Sequence, residues 1–307
     1  MNKNRTRMIF IMMLVFLGLL VFAAVFMPGA SAKTINVDDS GGKDYMKIQD
    51  AINVANPGDT VYVYNGTYNE QITISKSISL TGESNQHTII KGTGDYDSMG
   101  IYIATNYVNV SNIKIDNFDT GIRLGSGSNN NIIASNTITN SGMYGIDLRS
   151  SNNVISRNTI TNSDLDGIMF YFCSSNAVSS NTITNNGRHG IYLDGSNNNI
   201  ATNNIYNNKQ YGLYLFSSAG TGNTAINNWW GSASGPYNAA SNPTGKGDEI
   251  SNGITFSPWA TSLFDISKPT IKEEKKESKS FIPGFETILL IASISCMLLF
   301  RKHRRIK

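Results

Sequence analysis

The chain has 307 residues, is 40% hydrophobic and 15% charged, and carries 2 cysteines, too few for a disulfide framework. Its formal charge of +3 is unevenly spread: residues 33–265 hold 12 Lys and Arg against 18 Asp and Glu, a balance of −6. An acidic body lacks the basic stripe that phosphate backbones require, which argues against a nucleic-acid partner. At the N-terminus, Lys3, Arg5 and Arg7 precede an apolar run from Met8 to Met27, and Ala30-Ser31-Ala32 follows. Basic residues, an apolar core and small residues before a cut read as a secretory signal over residues 1–32. The run is also long enough to serve uncut as a membrane anchor.

Residues 33–99 show a related but irregular pattern. Ile48, Ala51, Ile52 and Ala55 fall at helical spacing, and Asn56-Pro-Gly-Asp59 ends that segment as a turn. Strand-like alternations follow in Val61-Tyr-Val-Tyr, Gln71-Ile-Thr-Ile and Ser77-Ile-Ser-Leu. The expectation is a short capping helix and then irregular coils. Asn65-Gly-Thr67 and Asn109-Val-Ser111 are glycosylation sequons, in keeping with an exported chain.

Residues 100–230 repeat. Gly121-Ile-Arg-Leu, Gly145-Ile-Asp-Leu, Gly167-Ile-Met-Phe, Gly190-Ile-Tyr-Leu and Gly212-Leu-Tyr-Leu are spaced 22 to 24 residues apart. Such a period means stacked coils, none able to bury its own apolar face. The first and third residues after each glycine are apolar and predicted to point inward. So are two further columns, Ile133, Ile155, Val178, Ile200 and Ile138, Ile160, Ile183, Ile205. Three short strands per coil predict a parallel β-helix. Three asparagine columns mark the corners: Asn131, Asn153, Asn176, Asn198; Asn136, Asn158, Asn181, Asn203; and Asn140, Asn162, Asn185, Asn207. Asparagine tolerates left-handed backbone angles, and its amide can reach the next coil to form a ladder.

After Trp230 the period ends. Residues 231–267 read as a C-terminal cap in which Ile250, Ile254, Phe256 and Trp259 form a last strand; Trp229 and Trp230, just before it, read as lids over the open coil in preference to a sugar-stacking platform. Residues 268–280 form a charged stalk too poor in apolar residues to fold alone. Residues 281–307 hold an apolar run from Phe281 to Phe300 and the basic cluster Arg301-Lys-His-Arg-Arg305, a membrane-spanning pattern whose basic end stays inside. With Ile282-Pro-Gly-Phe-Glu286 at its start, this tail resembles the sorting tails of archaeal surface proteins, which are cut and replaced by a lipid. Either way the body is expected outside the cytoplasmic membrane, anchored at the cell surface.

Three segments carry a wider resemblance. They are Ile48-Gln-Asp-Ala-Ile-Asn-Val-Ala-Asn-Pro-Gly-Asp-Thr-Val with Asn65-Gly-Thr-Tyr, the repeated Gly-Ile-x-Leu with Ser-Asn-Thr-Ile-Thr-Asn, and Asn228-Trp-Trp-Gly-Ser with Gly235-Pro and Ser257-Pro-Trp259. Residues 33–262 thereby resemble the pectin-lyase-like proteins, in particular the NosD-type, carbohydrate-associated branch on archaeal surfaces. The resemblance implies an all-β, right-handed, single-stranded parallel β-helix with a short N-terminal capping helix. It does not imply one activity, because this fold hosts lyases, hydrolases, isomerases and proteins without known chemistry.

The residues between the inward columns form an outward strip. Tyr102, Arg123, Arg149, Tyr171, Tyr192, Asp194 and Tyr214 are the candidate glycan-binding residues: aromatic faces cover sugar C–H surfaces, and charges meet hydroxyls. The expected role is structural or adhesive, with a polysaccharide or surface glycan as partner. The alternative is a polysaccharide lyase or glycoside hydrolase acting on a polyuronide. Asp147, Asp164, Asp166 and His189 are its candidate catalytic residues, since glycosidic hydrolysis calls for paired carboxyl groups. Arg188-His-Gly190 and Asp164-Leu-Asp166 resemble the motifs of polygalacturonase-like hydrolases, although the aspartates are not adjacent and no Asn-Thr-Asp or Arg-Ile-Lys element occurs. No cofactor is expected, except calcium between Asp147 and Asp166 beside Arg149 if the protein is a lyase. The NosD likeness adds a minor reading, copper handling through Met143, Met169, Cys173 and His189.

Overall fold

The computed structural model describes residues 31–216 and 220–266. The expected stalk and membrane tail, and all but the end of the expected signal, lie outside the described residues. Among those that are described, no helix is long and apolar enough to cross a membrane.

The described chain winds through three parallel sheets of 8, 8 and 7 strands, an all-β solenoid of about eight turns. Sheet I runs from Thr34–Val37 to Asn199–Ala201, sheet II from Gly66–Tyr68 to Asn204–Tyr206, and sheet III from Ile72–Ile74 to Glu249–Ile250. Each coil visits III, I and II in turn, as in Thr120–Leu124, Ile132–Ala134 and Thr137–Ser141. The register is strict: Ile101, Ile122 and Ile146 are successive partners, as are Ile133 and Ile155, and Ile138 and Ile160. All four predicted apolar columns point inward and are fully buried except Leu215, which packs against the core at the open end. Each buried aliphatic side chain contributes roughly 1.5–3 kcal/mol by leaving water.

The repeated glycine has a packing cause. A Cβ on Gly121 would stand 2.4 Å from an Ile138 methyl and 2.6 Å from the Gly145 carbonyl, and Gly145 and Gly167 meet the same obstacles one coil on. No larger residue fits where sheet II turns into sheet III.

The asparagine columns form ladders, but corner geometry and laddering are divided between residues. At the first two corners the left-handed residue is the one before the ladder asparagine: Asn130, Asn152, Ser175, Asn197 and Ser135, Arg157, Ser180, Thr202. The ladder residues that follow are buried. Each backbone N–H donates to the next side-chain oxygen, as from Asn136 to Asn158 (2.9 Å) and from Asn158 to Asn181 (2.8 Å). The Asn158 amide also donates back to Ile133 O (2.8 Å) and forward to Asn181 Oδ1 (3.0 Å). Only the third column, Asn140, Asn162, Asn185 and Asn207, is itself left-handed, with φ of 55–59°.

Both ends of the stack are covered. The helix Ile48–Val54 buries Ile48, Ala51 and Ile52 against the first coil. Its first N–H groups donate to the Glu70 carboxylate at 2.9 and 3.0 Å, because Lys47 at the N-cap offers no acceptor. At the other end Trp230 is fully buried as a lid. The expected single last strand is instead part of a further turn. Glu249–Ile250 extends sheet III, whereas Thr224 bridges Asn199 and Thr255, and Trp229 bridges Asn204.

Candidate functional site

The outward face of sheet III holds most of the candidate residues. Tyr102, Arg123, Asp147, Met169, Tyr192 and Tyr214 are register partners in one column. Gly125 leaves room for the Tyr102 ring, whose hydroxyl lies 2.7 Å from where a Cβ would stand.

Two ion-pair centres anchor the face. Asp147 is fully buried, and its Oδ2 accepts from the Nε atoms of Arg123 (2.8 Å) and Arg149 (2.9 Å). Its Oδ1 has no partner. One carboxylate thus holds two guanidiniums, with the more exposed Arg149 lying 5.4 Å from the Tyr171 ring. One coil further on, Asp166 is also fully buried. It accepts from Nε and Nη2 of Arg188 and from the His189 backbone N–H (3.2 Å). The carboxylates lie underneath and the guanidinium edges outside, so this strip presents positive groups on an acidic body.

Beside Asp166 the face is aromatic. His189 stacks on Tyr214 with centroids 4.9 Å apart and planes at 10°, and Tyr211 meets His189 edge-on at 5.5 Å. Tyr192 lies 5.5 Å from Tyr214 and 5.7 Å from Phe216, and Arg188 sits over the Tyr192 ring. Burial pushes the His189 imidazole down to about 4, outweighing the upward pull of Asp166. The ring is neutral at pH 7, and its Nδ1 is buried without a partner. Burial also raises the Tyr192 and Tyr144 phenols, with Asp194 and Asp166 respectively adding to the effect.

The predicted catalytic set does not converge. Asp166 and His189 are neighbours and Asp147 is on the same face, but Asp164 is exposed and lines a separate hollow of about 360 Å³ with Asn140, Gly142 and Asn162. The two-residue step from Asp164 to Asp166 spans the corner between sheets, so their side chains diverge. Calcium would need carboxylates free of other partners, whereas Asp147 and Asp166 are held by arginines. Among the described residues no three His, Cys, Asp or Glu side chains are placed to hold a metal. The soft-ligand set is split by the wall of the solenoid. Cys173 is packed in the core, its thiol pushed up to about 12 by burial and donating to Leu148 O, whereas His189 and Met169 belong to the outer face. Tyr144, Tyr211 and Phe216 join the face without having been singled out as binding residues. The residue before each glycine comes to lie beside the outward column, a consequence of the bend at the glycine that strict strand alternation hides.

Comparison with known proteins supports the architecture. No curated protein matches the chain. Among solved structures, the pectate lyase Pel9A aligns at 15% identity and a TM-score of 0.50, with 76% of this chain and 80% of that one covered. The pectin methylesterase PemA from Erwinia chrysanthemi aligns at 14% identity and 0.44, covering 76% and 91%. ORF18 of Geobacillus virus E2 aligns at 17% identity and 0.45, covering 74% of this chain and only 60% of the viral protein. At such identities the likeness is one of fold. Residues 99–257 match the model of the right handed beta helix region, more than half of the 307 residues, and the chain belongs to that family.

Proposed function

We propose that the outward face of sheet III binds a glycan, and that the protein is a surface-held structural or adhesive β-helix. The observation that carries this reading is the aromatic group His189, Tyr192, Tyr211, Tyr214 and Phe216, continuous with the Arg188–Asp166 pair. Stacked rings present a broad apolar surface to sugar C–H faces, and fixed guanidiniums supply donors at its edge. The strict register keeps these groups in place without a ligand, so little ordering cost falls on binding. In this proposal residues 1–32 export the chain and residues 281–307 hold it at the membrane, with lipid or an uncut helix as the anchor.

An oligosaccharide panel measured by calorimetry tests the reading. A bound glycan should lose about tenfold or more in affinity in Tyr214→Ala and in Tyr192→Ala, roughly 1.4 kcal/mol or more. Unchanged binding in both variants would remove this face from candidacy. Release of reducing ends or unsaturated products from a polyuronide, abolished in Asp166→Asn, would replace binding with cleavage.

A further inference from the structure

Asp194 differs from the other carboxylates of the face. Asp147 and Asp166 are each held by arginine, whereas no described residue donates a hydrogen bond to the Asp194 side chain or pairs with it, although it is only 4% exposed. A carboxylate largely covered by the protein and unpaired among the described residues is costly, and unlike Asp147 and Asp166 this one has no counter-charge on the face. Burial raises its pKa, as that isolation requires.

Its surroundings define what would complete it. Leu193 is the register partner of Phe170 and Leu215, so Asp194 follows the end of its strand where the neighbouring strands lead into Tyr171 and Phe216. Tyr192 precedes it on the same face, 5.7 Å from Phe216. The backbone here is clamped. Asp194 O accepts from Cys173 N at 3.3 Å, and a Cβ on Gly195 would stand 1.7 Å from Cys173 O. An anion set between aromatic rings is complementary to a cation, which gains a counter-charge from one and cation–π attraction from the others. Tyr171 already carries one cation, since the Arg149 guanidinium lies 5.4 Å from its centroid, but Arg149 is committed to Asp147.

We propose that Asp194, Tyr171, Tyr192 and Phe216 form a subsite for a sugar bearing a free ammonium group, a de-N-acetylated amino sugar within the bound glycan. This rests on the reading of sheet III as a glycan-binding face. A lysine side chain carries the same charge, but the continuous ring surface beside the subsite suits successive sugar rings better than a peptide.

Hexamers of glucosamine and of N-acetylglucosamine differ only at nitrogen, and calorimetry with the full chain compares them. The glucosamine hexamer should bind at least tenfold tighter. Asp194→Asn should erase that preference, bringing the affinities for the two hexamers to within about twofold of each other. Asp50→Asn, which removes an exposed carboxylate on the capping helix, should keep the preference and so exclude general attraction to an acidic body. Equal affinity for the two hexamers, or a preference that survives Asp194→Asn, would overturn the proposal. So would a lysine hexapeptide bound as tightly with the same dependence on Asp194, which would assign the subsite to a basic peptide. If neither hexamer binds while another glycan binds through Tyr214, this proposal alone fails; if no glycan binds, the reading of the whole face fails with it.

Discussion

Asp166 and Arg188 share hydrogen bonds but not their exposure to water. The Asp166 side chain is fully buried, whereas the Arg188 side chain keeps 31% of its surface. Arg188→Ala leaves a carboxylate stranded in the wall and is expected to cost about 3–5 kcal/mol in urea unfolding. Asp166→Asn leaves a guanidinium that can turn to solvent, with an expected cost of only about 1–3 kcal/mol. Equal losses would mean that the pair is not asymmetric in the way its burial implies. His189 gives a second residue-level prediction. Its ordinary value of 6.5 falls to about 4 in the folded chain, so between those pH values the unfolded chain binds a proton that the folded chain refuses. Stability should therefore fall as pH is lowered through that window, by up to about 3 kcal/mol from this group. The difference in unfolding free energy between the wild type and His189→Gln, followed from pH 7 to pH 4, should show this slope. A pH-independent difference would place the imidazole in water. The sequence singled out Asp166 and His189 as candidate residues, with Arg188 in the Arg188-His-Gly190 motif. It could not show that the arginine covers the carboxylate, since that depends on which way two long side chains turn.

At the scale of the element, the corner pairs a bending residue with a bridging one. Asn158→Ala removes the acceptor of the Asn136 N–H and both donations of its own amide, leaving buried polar groups unpaired. The expected loss is about 2–4 kcal/mol. Asn140 is exposed and left-handed, so Asn140→Ala should cost only about 1 kcal/mol, and Asn140→Gly almost nothing. Unfolding midpoints of the three variants would separate the two jobs, and a costly Asn140→Gly would contradict the division. The columns themselves were legible as soon as the 22-residue step was recognised, because apolar and amide positions repeat with equal strictness. Which asparagine bends and which bridges was not legible. The left-handed residue before each ladder position is variously Asn, Ser, Arg or Thr, so its backbone leaves no clear signature in composition.

The stack of described coils is close to one-dimensional: each coil rests on its two neighbours, so damage at one end should remain there. Trp230 is the test. Its ring packs about 3 Å from the position a Gly212 Cβ would occupy, and Trp230→Ala is expected to cost about 3–5 kcal/mol. Hydrogen exchange should then quicken in residues 204–216 and 224–256 while the coils over Ile72–Leu124 keep their protection. Uniform loss of protection would show a single cooperative unit instead. The ladders give this body a direction. Along each ladder the backbone N–H of the earlier turn donates to the side-chain oxygen of the later one, and at the third corner the series ends on Asp248, which accepts from Asn207 N, Asn208 N and Asn208 Nδ2. An extra repeat copied from the middle arrives with a socket on one side and a plug on the other, and so can be spliced in without rewiring its neighbours. Past Asp248 the carboxylate has no amide hydrogen to pass on, so lengthening by duplication is favoured inside the stack and closed at that corner.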